Sequence, residues 1–280
     1  MISRAFAAAG LALCGLSAAA CGSAAGSTEA AVATRPRTAE GAATPAAAAP
    51  HSRPAAKPAE KPLAGKVVVI DPGHNSGNYR HPEIVNKKVN VLTQWKACDT
   101  TGTATNDGYA EAAFTWDVAQ RMAKALRAEG ATVKLTRGGD SGVGPCITER
   151  AAIGNKAHAD AAVSIHADGA AAGARGFHVI MPKKIGGPVD PVVGDSKRLG
   201  RILRDAYHEG TGMPYSTYIG RQALDYRSDL GGLNLSTVPK VFIETGNMRN
   251  ATDAAKIKSS AFRQRVATSL ADGLREYLTG

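Results

Sequence analysis

The sequence predicts a single α/β domain, a mostly parallel twisted sheet with helices on both faces. Three observations carry that expectation. Short β-branched runs recur along residues 64–280, as in strands covered on both sides. Between them, apolar residues fall three or four apart, which is the helical period. Strand and helix patterns also alternate, and alternation calls for crossover connections and a parallel sheet.

The elements follow in order. Residues 1–20, MISRAFAAAGLALCGLSAAA, join one arginine to a short apolar core. This reads as a signal peptide, because the core is too short for a membrane span of ~20 residues. The end, AAAC at Ala18–Cys21, suits ordinary small-residue cleavage. It also half-matches a lipoprotein signal with an acylated Cys21, although Ala18 stands where such signals carry a larger aliphatic. Both readings stay open. From Gly22 to Pro62 the only large apolar residue is Val32, so residues 21–63 read as a disordered Ala/Pro-rich tether spanning roughly 35 Å. Residues 64–280 are then the folded domain, long enough for an ample core.

Within that domain VVVI (Val67–Ile70) is the first strand, running into DPGH, and a long polar stretch covers Asn75–Gly108. A loop of that length in a compact domain usually has a role. Glu111–Glu129 carries Phe114, Val118, Met122 and Leu126 on one helical face, and Gly130 stops it. TVKLT (Thr132–Thr136) is a strand and Ile147–Ala157 a short helix. AVSI (Ala162–Ile165) and FHVIM (Phe177–Met181) are strands. Asp195–His208 is a helix with a stripe of Leu199, Ile202, Leu203 and Ala206. VFI (Val241–Ile243) is the last strand, and Asp253–Leu278 reads as one terminal helix.

Charge and cysteines bound the partners. The formal net charge is +10, of which +7 falls on the domain. A basic exported domain suits an anionic polymer or envelope surface. Nucleic acid fits poorly, because the Lys and Arg residues are dispersed and not interleaved with aromatics. Cys98 and Cys146 are the only cysteines of the domain. Export favours pairing them, and closing that loop contributes about 4 kcal/mol in the chain-entropy model. A thiol metal site is the poorer reading, because CxxC spacing is absent.

In open α/β sheets, ligand sites lie outside the carboxyl ends of the strands. His74 follows VVVI through the DPG turn, His166 closes AVSIHAD and Glu244 closes VFIETG. Glu111 opens the first long helix at the same edge. Two histidines and a carboxylate form a common catalytic zinc set with one position left for water, and a further glutamate suits a general base. Each residue also has a bland reading, as a turn polar group, a bonded strand-end histidine or a dipole-favoured helix start. Glu83, in RHPEIVN, is a rival carboxylate. Asp71 is a candidate acceptor for a ligating histidine, or a turn brace. Spacing alone permits a metal site without establishing one.

Four segments together, VVVIDPGH, DGYAEAAFTWDVAQRMAKAL, AVSIHADG and VFIETGNMRN, resemble the zinc-dependent N-acetylmuramoyl-L-alanine amidases of the amidase-3 family. The likeness is greatest to its actinobacterial and mycobacterial cell-wall members. The resemblance covers Gly65–Gly280 and implies His74, Glu111 and His166 as Zn2+ ligands and Glu244 as the catalytic glutamate. It favours Glu111 over Glu83, and it implies structural roles for Arg150 and Asn155 and a Cys98–Cys146 disulfide. It further implies cleavage between N-acetylmuramic acid and L-alanine of peptidoglycan stem peptides, outside the cytoplasmic membrane. Larger division-associated members insert a plugging helix after the SIHADG strand. Here the matching stretch, MPKKIGGPVDPVVGDSK, is short and broken by Gly186, Gly187, Pro188 and Pro191, which predicts a site without built-in occlusion.

Substrate contacts are expected from the stretch before the last strand, at Arg221, Asp225, Arg227 and Asp229, and from Asn247. The expected partner is peptidoglycan or a muropeptide, with membrane attachment only through a lipid on Cys21, and the expected state is a monomer. Two alternatives remain on the same scaffold: a zinc peptidase cutting within the stem peptide, and a non-catalytic wall-binding protein.

Overall fold

The computed structural model describes residues 61–280, so the leader, Cys21 and most of the tether lie outside the described residues. Packing begins earlier than the tether boundary suggests. Leu63 is fully buried, and its N–H donates to the Glu129 carbonyl at 3.0 Å. Among the described residues no helix is long and apolar enough to cross a membrane.

The elements are β1 (Val67–Pro72), α1 (Pro82–Val85), β2 (Lys88–Asn90), β3 (Trp95–Ala97), α2 (Glu111–Ala128), β4 (Thr132–Leu135), α3 (Ile147–Lys156) and β5 (Ala161–Asp168). They continue with β6 (His178–Pro182), α4 (Val193–Thr211), β7 (Leu224–Arg227), α5 (Gly231–Asn234), β8 (Lys240–Asn247), α6 (Ala251–Lys258) and α7 (Ser260–Thr279). Six strands form one sheet in the order β4-β1-β5-β8-β6-β7. β4, β1, β5 and β8 are mutually parallel, whereas β6 runs antiparallel to β8, and β7 is parallel to β6. The reversal has a simple cause. The link from β5 to β6 holds no helix, and a parallel crossover needs a dozen or more residues.

Side chains alternate across each strand, and the two faces of this sheet differ. On one face Val68, Ile70, Val163, Ile165, Val179, Val241 and Ile243 pack with Phe114, Leu126, Leu199, Leu203, Phe262 and Leu270 of α2, α4 and α7. On the other face the apolar cluster is small: Val69, Ala162 and Val238, with Ile153 of α3 against them. That thinner side also carries a polar layer. Asp71 accepts from Thr136 Oγ1 (2.7 Å), Ser164 Oγ (2.9 Å), Lys240 Nζ (2.9 Å) and Arg150 Nη1 (3.0 Å), all buried. Burial pushes the Asp71 carboxyl up, but the Lys240 and Arg150 charges outweigh it and hold the group well below the carboxylate range.

Several elements differ from the sequence expectation. The long Asn75–Gly108 stretch contains α1 and the antiparallel β2–β3 hairpin, and it is tied down by the Cys98–Cys146 disulfide. Short β7 and α5 lie in a region read only as groove. The terminal helix is two helices, because Ser259 is extended (φ −73°, ψ 122°) and its side chain accepts from Phe262 N–H. Serine is a strong N-cap former, so the KSSAF sequence starts a new helix there.

Candidate metal centre

Each candidate ligand owes its place to a separate local device. After β1 the chain turns so closely past His166 that a Cβ on Gly73 would lie 2.2 Å from that ring; only glycine fits. His74 then takes a φ of 58°, a left-handed conformation uncommon for residues with side chains. The turn therefore aims the imidazole. Glu111 is the first residue of α2, and its carboxylate accepts from Thr103 N–H at 2.9 Å and Ala167 N–H at 3.1 Å. His166 sits in β5 directly opposite Glu244 of β8, and Phe242 stacks on its ring with centroids 5.2 Å apart.

These residues converge. One ligand atom from each of His74, Glu111 and His166 lies within 4.8 Å of the others. Glu111 Oε1 is 3.4 Å from His74 Nε2 and 3.0 Å from His166 Nδ1. Two imidazoles and a carboxylate facing one point are a donor set for a catalytic metal ion. Charge at the cluster agrees. Burial pushes the His74 imidazole down, but Glu111, with help from Asp99, outweighs it and raises the pKa to about 10. Burial likewise pushes Glu111 up, yet the two imidazoles hold it well below the carboxylate range. The buried carboxylate thus sets its negative charge against both rings.

Glu244 behaves in the opposite way. Its pKa is pushed well above the ordinary carboxylate value by burial and then by the negative charges of Glu111 and Asp168. Its buried Oε2 has no hydrogen-bond partner. An unpartnered carboxyl oxygen beside a ligand cluster is placed to exchange a proton with a group the protein itself does not supply. A cavity of about 260 Å³ opens over His74, His166 and Glu244. Its walls include apolar Ile147, Ile180, Leu230 and Phe242 and the cations Lys96 and Arg227. Among the described residues, none from 181–197 lines it, and from Val193 onward that stretch forms the start of α4.

The other expected residues distribute unevenly. Glu83 is exposed and pairs with His81 at 3.1 Å, away from the cluster. Asp71 braces the sheet, whereas the acceptor for His74 Nδ1 is Asp99 at 3.0 Å. Asp99 follows Cys98 in an irregular stretch, and only its neighbouring cysteine marks it in the sequence. Arg150 is buried in the brace, and Asn155 ties α3 to the loop before β8, donating to Leu235 O and accepting from Thr237 N–H, both at 2.8 Å. Arg227 lines the cavity and pairs with Asp229 at 2.6 Å. Lys96, which sequence reasoning missed, joins the same aspartate at 3.1 Å. Arg221 is exposed in a turn and, like Asp225, does not line the cavity. Asn247 is buried and donates to the carbonyls of Ala171 and Ala174.

The chain has relatives among known proteins. The N-acetylmuramoyl-L-alanine amidase family, amidase-3, matches residues 68–276. The N-acetylmuramoyl-L-alanine amidase Rv3717 of Mycobacterium tuberculosis is 41% identical over 217 residues, covering 77% of this chain and 88% of that protein. The crystal structure of the amidase Ami1 from Mycobacterium smegmatis superposes with a TM-score of 0.73 at 40% identity, covering 77% of this chain and 98% of that one. Apo Ami1 from Mycobacterium abscessus gives the same TM-score at 42% identity, covering 77% and 100%.

Proposed function

This chain belongs to the amidase-3 family of N-acetylmuramoyl-L-alanine amidases, and on that premise we propose that it uses zinc, held by His74, Glu111 and His166, to cut N-acetylmuramic acid from L-alanine of peptidoglycan stem peptides. The observation that carries this reading is the meeting of three donor atoms within 4.8 Å beside a buried, unpartnered Glu244 oxygen.

His74, Glu111 and His166 would hold the zinc ion, which when bound would supply Lewis acidity toward the scissile carbonyl and the attacking water. Glu244 takes the proton from that water as oxygen adds to the lactyl carbonyl carbon. The same carboxyl then delivers that proton to the alanine nitrogen as the C–N bond breaks. Asp99 holds the His74 ring through Nδ1, leaving Nε2 directed at Glu111. The apolar cavity wall receives the alanine side of the substrate, and Lys96 and Arg227 at the cavity suit the carboxylates of a stem peptide. Glycan and peptide leave intact.

Mass spectrometry of digested peptidoglycan tests the assignment. Intact stem peptides with a free alanine amine and glycan with a free lactyl carboxylate are expected. Shortened stems would mean a stem peptidase, and zinc binding without turnover would mean a wall-binding protein. Glu244→Gln should lower cleavage about 10³-fold with zinc retained. We place the enzyme outside the cytoplasmic membrane as a monomer, exported by residues 1–20 and spaced by a tether that ends before Leu63. The mass of the mature N-terminus decides between a free and an acylated Cys21.

A further inference from the structure

The metal-facing side of His74 is described above; its other side leads somewhere unexpected. Nδ1 of the imidazole meets Asp99 Oδ1 at 3.0 Å and the Thr100 carbonyl at 3.2 Å. Asp99 is buried, and its second oxygen accepts from Arg150 Nη2 at 3.3 Å. The same guanidinium donates to the His74 carbonyl at 3.2 Å and, through Nη1, to Pro72 O at 2.7 Å. Both ends of the His74 turn therefore rest on two side chains, Asp99 and Arg150.

Those two side chains come from segments that no sheet ladder joins. Asp99 follows β3 in an irregular stretch, and Arg150 lies in the first turn of α3. What joins them is the Cys98–Cys146 disulfide. Cys98 is the residue before Asp99, and Cys146 is the N-cap of α3, whose carbonyl accepts the Arg150 N–H at 2.9 Å. One backbone bond, Ile147 N–H to Cys98 O at 2.8 Å, lies beside the cross-link. Neither sulfur belongs to the ligand cluster. His74 also holds a left-handed φ of 58°, a conformation that persists only when its surroundings over-determine it.

We propose that Asp99 is a positioning residue for His74, and that the Cys98–Cys146 cross-link acts at a distance on metal affinity by holding Asp99 and Arg150 against the His74 turn. The disulfide is thus part of the metal site's construction as well as of the fold's stability. This rests on the reading of His74, Glu111 and His166 as zinc ligands.

The test is a zinc competition titration against a chromophoric chelator, run on the folded, metal-stripped domain with its fold checked by circular dichroism. His166→Ala is the control for the underlying site: if it binds zinc as tightly as the native protein, the ligand assignment fails, and the present proposal with it. With that control weakened as expected, Asp99→Ala should lose about 10–100-fold in zinc affinity. Asp99→Asn should recover part of it, because its carbonyl still accepts the imidazole N–H. A merely structural Asp99 would lower thermal stability in both variants without separating their zinc affinities. The Cys98→Ser/Cys146→Ser pair should lose about tenfold, and it should lose less when Asp99→Ala is already present, because only the Arg150 contacts then remain for the cross-link to hold. Serines are used because freed thiols would bind zinc themselves. If the serine pair folds only with zinc bound, the rate at which excess chelator strips the metal replaces the titration and should rise by a similar factor. Unchanged zinc affinity in Asp99→Ala, or unchanged affinity and stripping rate in the serine pair, overturns the proposal.

Discussion

The two faces of the sheet are made from the same strands and serve opposite ends. Toward α2, α4 and α7 the strands present Val, Ile and Met to a continuous apolar cluster. One residue along, the same strands present Asp71, Ser164, His166, Lys240 and Glu244 to the thinner side. The apolar side supplies stability through burial, about 1.5–3 kcal/mol per large side chain. The polar side holds charges whose burial is costly unless every lone pair is met, and Asp71 meets that demand with four partners. A rigid apolar half therefore lets the other half carry a buried ion network and an unpartnered Glu244.

Substitutions can break this contrast, the largest effect first. Leu270→Ala, in the centre of the apolar cluster, should cost about 3 kcal/mol in chemical denaturation and leave the zinc affinity of the folded fraction unchanged. A parallel fall in affinity would mean the faces are not independent. Lys240→Met removes one partner of a buried ion pair and should cost about 3 kcal/mol at neutral pH. That loss has a pH signature. The folded-state pKa of Asp71 is depressed, so its contribution is present above the ordinary value near 3.8 and is lost as pH falls through the folded value. The gap between Lys240→Met and the native protein should close in acid, as urea titrations across pH would record.

The metal-free cluster titrates the other way. His74 is raised from 6.5 to about 10, so its bonds to Glu111 and Asp99 stabilise fully below 6.5 and are lost as pH rises through 10. Zinc binding near pH 8 should then release a proton from His74, measurable by calorimetry in buffers of different ionisation enthalpy. No proton release would contradict the raised pKa. The smallest effect is expected at Ser259→Ala, which removes the cap between α6 and α7 and should cost about 1 kcal/mol with no change at the metal centre.

The same contrast explains what could be read from the sequence. Local patterns announced the parallel strands, the helices carrying the apolar face, and the four polar residues that end strands or open a helix. His74, Glu111, His166 and Glu244 stood out as candidates at a predictable edge, but spacing left Glu83 as a rival, and the choice among them came from the resemblance to the amidase-3 family. Asp99 did not stand out, because its role depends on a stretch without periodicity brought close by a cysteine 48 residues distant. Lys240 was equally hidden, since a lysine before VFIET reads as a solvated strand end until Asp71 is seen opposite it. The β2–β3 hairpin and β7 are three or four residues long, too short for alternation to show. The reversed β6 followed from the brevity of its connection rather than from its composition.

The strand order also makes one late segment indispensable to the thinner side of the sheet. β8 fills the slot between β5 and β6, yet it is the last strand along the chain. A polypeptide emerging from its amino end delivers both histidines and Glu111 while that slot is still open. Only with residues 240–247 in place does Glu244 stand opposite His166 and Lys240 reach Asp71, so one late strand completes both polar features of the thinner side.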